Sequence, residues 1–260
     1  FNTMMIKTKM LLGGGALAAI PVLIGCFFLS QSALKAANAL LEDGAKQSLI
    51  AVRDITAVEI VNYVEGIEKQ AVTLAESLMT TEAMAAFTTS FNEYGSSRGN
   101  SDINNQRASV KRYYDEQFNE RFKSLNSGRS TRTVDLLTPL DEQSIALQYD
   151  FISNNSDPLG SKQLLNKTQK ASRYSETHEK YHGIFRNFIE RFGYYDLFLV
   201  DHKSGDIVYS VFKELDYSTS LIDGPYANSG IGQAFKLAAA SSDSGFTGLT
   251  DFSPYLPSYN

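Results

Sequence analysis

From Met10 to Leu29 the chain carries apolar and small residues with no charge (MLLGGGALAAIPVLIGCFFL). A helix of that length crosses the ~30 Å hydrocarbon core of a bilayer, which takes roughly 20 residues. Lys7 and Lys9 stand before it, and Glu42 and Asp43 lie beyond it. Basic residues on the short flank place the N-terminus inside and the bulk of the chain outside. Two other readings compete. Leu23-Ile24-Gly25-Cys26 has the form of a lipobox, and a cleaved signal peptide has a similar apolar core. However, the run continues through Phe27, Phe28 and Leu29, past the 7–15 apolar residues of a signal peptide. An uncleaved signal anchor is the expectation.

Beyond the anchor the pattern is helical. From Gln31 to Phe91 there is no proline. Ile60, Val64, Ile67, Ala71, Leu74 and Leu78 step alternately by four and three, the seam of a coiled coil. Leu34, Ala37, Leu41, Ala45, Leu49 and Val52 nearly continue it upstream. The expectation is one long stalk helix paired with a second copy, or else two helices broken near Gly44 or Gly66. Polar Tyr94–Asn105 reads as a loop, Ser109–Leu125 as a helix and Asn126–Thr133 as a loop. Pro139–Ile152 reads as a short helix, and Gln169–Phe192 as a helix stopped by Gly193.

The period then falls to two. Tyr194–Val200 and Ile207–Phe212 read as an antiparallel hairpin around Asp201–Asp206. Lys213–Tyr226 reads as irregular, Ala227–Ala240 as a helix and Phe246–Phe252 as a third strand. The expected class is α+β, with a transmembrane helix, a long membrane-proximal stalk, a helical segment and an antiparallel sheet. The divisions are a cytoplasmic N-terminus (1–9), an anchor (10–30), a stalk (31–95), a helical sensor part (96–193) and an α/β part (194–260).

Composition narrows the function. Among 260 residues, 24 Lys and Arg face 29 Asp and Glu, for a net charge of −5. Such a chain lacks the basic field of a nucleic-acid protein. A single cysteine excludes a disulfide framework and Cys-based metal sites. Phe1 in place of Met, and an ending at Ser258-Tyr259-Asn260 without a closing element, read as a fragment.

The sharpest catalytic pattern is His178-Glu179-Lys180-Tyr181-His182, an HExxH sequence. On a helix its two imidazoles share a face and can hold zinc, with the Glu as general base. A third ligand is hard to find: His202 lies in the hairpin turn, Glu190 lies on the same helix, and nothing marks Glu214. The face continues through Phe185, Ile189 and Phe192, so His178 and His182 read instead as neutral, hydrogen-bonded core-edge residues, with Glu179 toward solvent. No metal, no other cofactor and no enzyme activity are expected.

A membrane anchor, a heptad helix and the hairpin YYDLFLVD (194–201) with GDIVYSVFKE (205–214) resemble a Cache-type sensor, an extracytoplasmic relative of PAS folds. Asp216, Thr219-Ser220-Leu221, Gly224-Pro225-Tyr226 and Asp251-Phe252-Ser253-Pro254-Tyr255 extend the likeness to the sensor half of bacterial methyl-accepting chemotaxis proteins. So does the segment around Tyr174, His178, Tyr181-His182, Phe185 and Gly193. The resemblance implies a PAS-like sheet whose last strands lie beyond Asn260, and a small-molecule ligand bound outside the inner membrane. It also implies a homodimer and cytoplasmic signalling partners reached through a missing C-terminal part. Related sensors sit on membrane histidine kinases and nucleotide cyclases. Candidate ligand residues are Tyr209, Lys213, Asp216, Tyr226 and Tyr255. Tyrosine offers an aromatic wall with a polar tip, and Lys213 suits a carboxylate. Ordinary strand packing competes with that reading for each.

Overall fold

A computed structural model of the protein describes residues 6–96 and 102–259. The chain is mostly helical with one small antiparallel sheet, an α+β arrangement. It divides into two units, Phe1–Ile67 and Glu68–Asn260. The expectations about the chain's start and about Lys9 fall outside the residues or side chains described, as does the 97–101 part of the polar loop.

The first unit is helix α1, Ile6–Ala75, as far as Ile67. Its N-terminal part is long and apolar enough to span a membrane, and every described side chain of Met10–Leu29 is exposed. The helix runs unbroken through Gly44 and Gly66. Its end is at Ala75, with Glu76 and Ser77 separating it from α2, Leu78–Ser96. Ser77 makes that break. Its hydroxyl donates to the Leu74 carbonyl (2.7 Å) and accepts the Thr80 N–H (3.2 Å), serving one helix end and the next. The single stalk helix expected through residue 91 is therefore two helices. Seam residue Leu78 stands 74% exposed beyond the break.

The second unit is built on an aromatic core. Ala83, Phe87, Phe91 and Tyr94 recur on one face of α2 and are buried. They meet α7, Arg173–Phe192, which Ser172 caps by accepting the Ser175 N–H and Gly193 ends in the left-handed region (φ 74°). Phe87 lies 4.6 Å from Tyr209 and 5.5 Å from Tyr174, and Phe151 lies 5.4 Å from Tyr174. The Tyr174 hydroxyl donates to the Val208 carbonyl at 2.6 Å and receives that of Tyr217 at 2.9 Å.

Helix α3, Ile103–Arg112, starts on Asp102, which accepts N–H bonds from Asn104 and Asn105. It continues through a π-helical stretch, Tyr113–Phe118, into α4, Asn119–Leu125. The predicted loop gives way to α5, Thr133–Leu137. Next, α6, Glu142–Gln148, leads into a second π stretch, Tyr149–Ser153. A π turn fits one extra residue into a helix. The first carries Tyr113 and Tyr114, both buried with Val110 and Phe118 on one face.

Strands β1, Phe198–Val200, and β2, Ile207–Ser210, form the hairpin, with Leu199 opposite Tyr209 and a bulge between Leu199 and Val200. The strands are shorter than the pattern predicts because Asp196 ends the ladder. One of its carboxylate oxygens accepts the N–H groups of Leu197 (2.6 Å), Val211 (2.9 Å) and Phe212 (3.1 Å). On the free side of β2, Ile207 N–H donates to Thr219 and Leu221 N–H to Gly205, at 2.9 and 2.7 Å. Helix α8, Gly230–Ala239, starts at a Ser229 cap. The predicted third strand over Phe246–Phe252 is not formed. These residues pair with no strand, and Phe252 is fully exposed (103%).

Candidate functional site

The chain leaves β2 through a tight turn that concentrates charge. Lys213 and Ser218 have positive φ (58° and 62°), a conformation costly to non-glycine residues and common at functional sites. The turn swings Lys213 inward, so that it is only 2% exposed. Its ammonium donates to the Ser210 carbonyl and lies 4.4 Å from the Tyr209 ring centre and 5.3 Å from that of Tyr217. Burial drives its pKa down, against the nearby Asp196. Asp196 is pushed up by burial and then by Asp216, despite its backbone donors.

Next to this lies a group of acids and tyrosines. Asp216 is fully buried, and one of its oxygens accepts from the Tyr255 hydroxyl. Glu214 accepts from Tyr195 at 2.7 Å. Burial raises Asp216 to about 6 and Glu214 to about 9. Neither has an ion-pair partner among the described residues. The Tyr226 and Tyr255 rings meet edge-on at 6.0 Å. Beneath them, Tyr114 donates to Gln148 at 2.8 Å, while Gln148 holds the Leu215 and Tyr217 carbonyls at 3.2 and 2.9 Å.

Several buried atoms here have no hydrogen-bond partner among the described residues: Asp196 Oδ2, Asp216 Oδ1 and the Tyr226 hydroxyl. An unsatisfied buried polar group costs about 1–3 kcal/mol, and such groups are rare. Asp216 acts electrostatically on both Asp196 and Tyr226, so these three atoms belong to one part of the fold.

Of the residues expected to bind ligand, Asp216, Tyr226 and Tyr255 come together. Tyr209 and Lys213 face the aromatic core instead, and Lys213 spends its ammonium on backbone and rings. Sequence reading missed Asp196, Glu214, Tyr195, Tyr113, Tyr114 and Gln148. Asp196 alone carried a signal, as an acid interrupting the apolar run YYDLFLV.

The two histidines lie side by side, rings stacked at 4.2 Å and fully buried. His178 Nδ1 donates to the Asn166 carbonyl (2.8 Å) and His182 Nε2 to that of Gln163 (2.6 Å). That fixes the His182 tautomer: Nδ1 accepts from the Tyr209 hydroxyl at 2.7 Å. Burial, then the charge of Lys213, pushes both rings down, His182 to about 3 and His178 well below its usual value. Glu179 points outward and pairs with Lys167 at 2.6 Å. The HExxH residues are thus split between core and solvent. Both His182 nitrogens are engaged, and no cluster of three potential metal ligands occurs among the described residues.

Comparison with family models, curated proteins and solved structures finds no match to this chain.

Proposed function

We propose that this chain is the sensor region of a transmembrane chemoreceptor. Its α+β unit is a Cache-type domain held outside the bacterial inner membrane by the Met10–Leu29 anchor, with the N-terminus in the cytoplasm. A small ligand binds in the α+β unit, the packing of α1 changes, and the change passes along α1 to cytoplasmic partners. The working form is a homodimer paired along α1.

The observation that carries this reading is the set of orphaned, buried polar atoms around Asp216 in the same unit that receives the end of α1. Tyr194, four residues before β1, donates to Gln70 of α1 at 2.7 Å. A shift of Asp196 and β1 therefore has a direct route to that helix. Small displacements suffice where packing has two discrete arrangements.

The test uses the full chain in lipid nanodiscs. A library of small polar solutes is screened for saturable rises in melting temperature, and hydrogen exchange is then followed over Gln70–Ala75. The reading expects at least one solute that both stabilises the protein and alters exchange there. No saturable solute, or stabilisation with unchanged exchange, refutes it.

A further inference from the structure

The HExxH residues hold a second segment of the chain in place. Ser175, His178, His182 and Arg186 step along α7 by three, four and four, so they share one face of the helix. Each holds a backbone group of residues 163–168, which run along that face in the opposite direction. Ser175 Oγ accepts the Thr168 N–H at 3.0 Å, and His178 Nδ1 donates to the Asn166 carbonyl at 2.8 Å. His182 Nε2 and Arg186 Nη1 both donate to the Gln163 carbonyl, at 2.6 and 3.2 Å. On the solvent side Lys167 pairs with Glu179 at 2.6 Å. The segment has little else to hold it. Asn166, Lys167 and Thr168 make no backbone–backbone hydrogen bond among the described residues, and Leu164, Asn166 and Lys167 are exposed. Its two ends are fixed without the histidines. The buried Lys162 ammonium donates to the Asn155 and Asp157 carbonyls at 2.7 and 2.5 Å, and Ser172 caps α7.

We propose that residues 163–168 form a strap latched by His178 and His182, which lifts from α7 as a unit on acidification while the rest of the α+β unit stays folded. A protonated ring meets no anion beneath the strap. Arg186 and the other histidine act on it from α7, while Glu179 points outward to Lys167. Lys213 acts on both rings from beyond β2, and Tyr209 of β2 presents only its hydroxyl. Asp196 acts on Lys213. From the second π stretch Phe151 packs on His178 at 4.9 Å, and its neighbour Asp150 is turned to Tyr94 and Lys170. Protonation also makes His182 Nδ1 a donor, so its bond from Tyr209 is lost. A charge held among cations must reach water, and the strap, bound by little else, is the side that yields. Segments of this kind open at less than the cost of global unfolding. Lifting frees the Tyr209 hydroxyl, so acidity outside is felt at β2 and at the turn that follows it.

The experiment is hydrogen exchange by mass spectrometry on the full chain in lipid nanodiscs, from pH 7 to pH 4, with rates corrected for the intrinsic pH dependence of exchange. Imidazoles in the open form titrate near 6.5. Below that value the open form binds more protons than the closed one, so acid favours opening. Protection over residues 164–170 is expected to fall about tenfold or more, while protection over residues 83–91 of α2 holds. His178→Gln and His182→Gln each remove one titrating latch, and each should roughly halve the fall on a logarithmic scale. Glu179→Gln removes only the outer ion pair. Strap exchange should then rise about twofold at pH 7, with its pH dependence kept. Strap and α2 losing protection together, or no loss at the strap, overturns the proposal. So does an undiminished fall in both histidine variants, or a pH dependence that vanishes in Glu179→Gln. If neither histidine variant folds, the parent and Glu179→Gln profiles decide by the same criteria.

Discussion

The Tyr209 hydroxyl donates to His182 Nδ1 across 2.7 Å, so a residue of β2 is tied to the middle of α7 by a buried bond between two side chains. Its direction follows from the Gln163 carbonyl, which requires the proton on the opposite ring nitrogen. Tyr209→Phe removes the donor and leaves Nδ1 unsatisfied. The expected loss is about 1–3 kcal/mol. That corresponds to roughly 2–4 °C of melting temperature per kcal/mol for a unit of this size, read by thermal denaturation.

The same histidines set an acid limit. His182 falls from 6.5 unfolded to about 3 folded, and His178 falls as well. Between those values the unfolded chain binds more protons, so stability drops as pH falls below about 6.5. The slope approaches 1.4 kcal/mol per pH unit for each group. Denaturation midpoints measured from pH 7 to pH 4 should decline, and His182→Gln should flatten the decline.

Glu214 works in the opposite sense. Its folded value of about 9 lies above 4.5, so the folded state holds the extra proton and stability is lost as pH rises between the two. Glu214→Gln keeps an acceptor for Tyr195 and removes the titration. The ligand-free variant should be more stable than the parent at pH 8 and equal to it near pH 4, by denaturant titration at both pH values.

Gly232 opens a different test. A Cβ there would stand 2.4 Å from the Ala227 carbonyl oxygen and 2.7 Å from that of Tyr226, both backbone atoms. Gly232→Ala must push the Tyr226–Ala227 turn away. The expected cost is about 1–3 kcal/mol, with Tyr226 displaced from Asp216. Melting temperature in thermal denaturation should fall accordingly.

The seam can be divided by position. Leu74 is half-buried and lines a groove with Ile184, Phe188 and Phe192, whereas Ile60 is 59% exposed. Leu74→Asp should lower the melting temperature of the α+β unit. Ile60→Asp should leave it unchanged and weaken self-association in sedimentation. The reverse pattern would count against pairing along Ile60.

The helix periods and caps were readable wherever a local rule acts alone. Gly193 ends α7 where the pattern places it, and the hairpin sits around Asp201–Asp206. The rest depends on contacts distant in sequence. Asp196 shortens both strands by accepting N–H groups from Val211 and Phe212, and no period-two pattern carries that information. Ser77 breaks the long helix through its hydroxyl, although glycines at 44 and 66 looked weaker. The π turns shift register at Tyr113 and Tyr149, positions with no marker residue. Lys213 and Tyr209 looked available to a ligand because strand alternation cannot tell one buried face from another. Asp216, Tyr226 and Tyr255 converge only through the fold.

Ser77 serves two helix ends with one hydroxyl, so the joint behaves as a linkage with a single bolt. A push along α1 reaches α2 through the Glu76-Ser77 backbone, the bonds that Glu76, Ser77 and Thr81 N–H make across the joint, and that oxygen. Ser77→Ala loosens both ends at once, where two separate caps would have failed one at a time. The joint is therefore a natural place to tune how stiffly one helix drives the next.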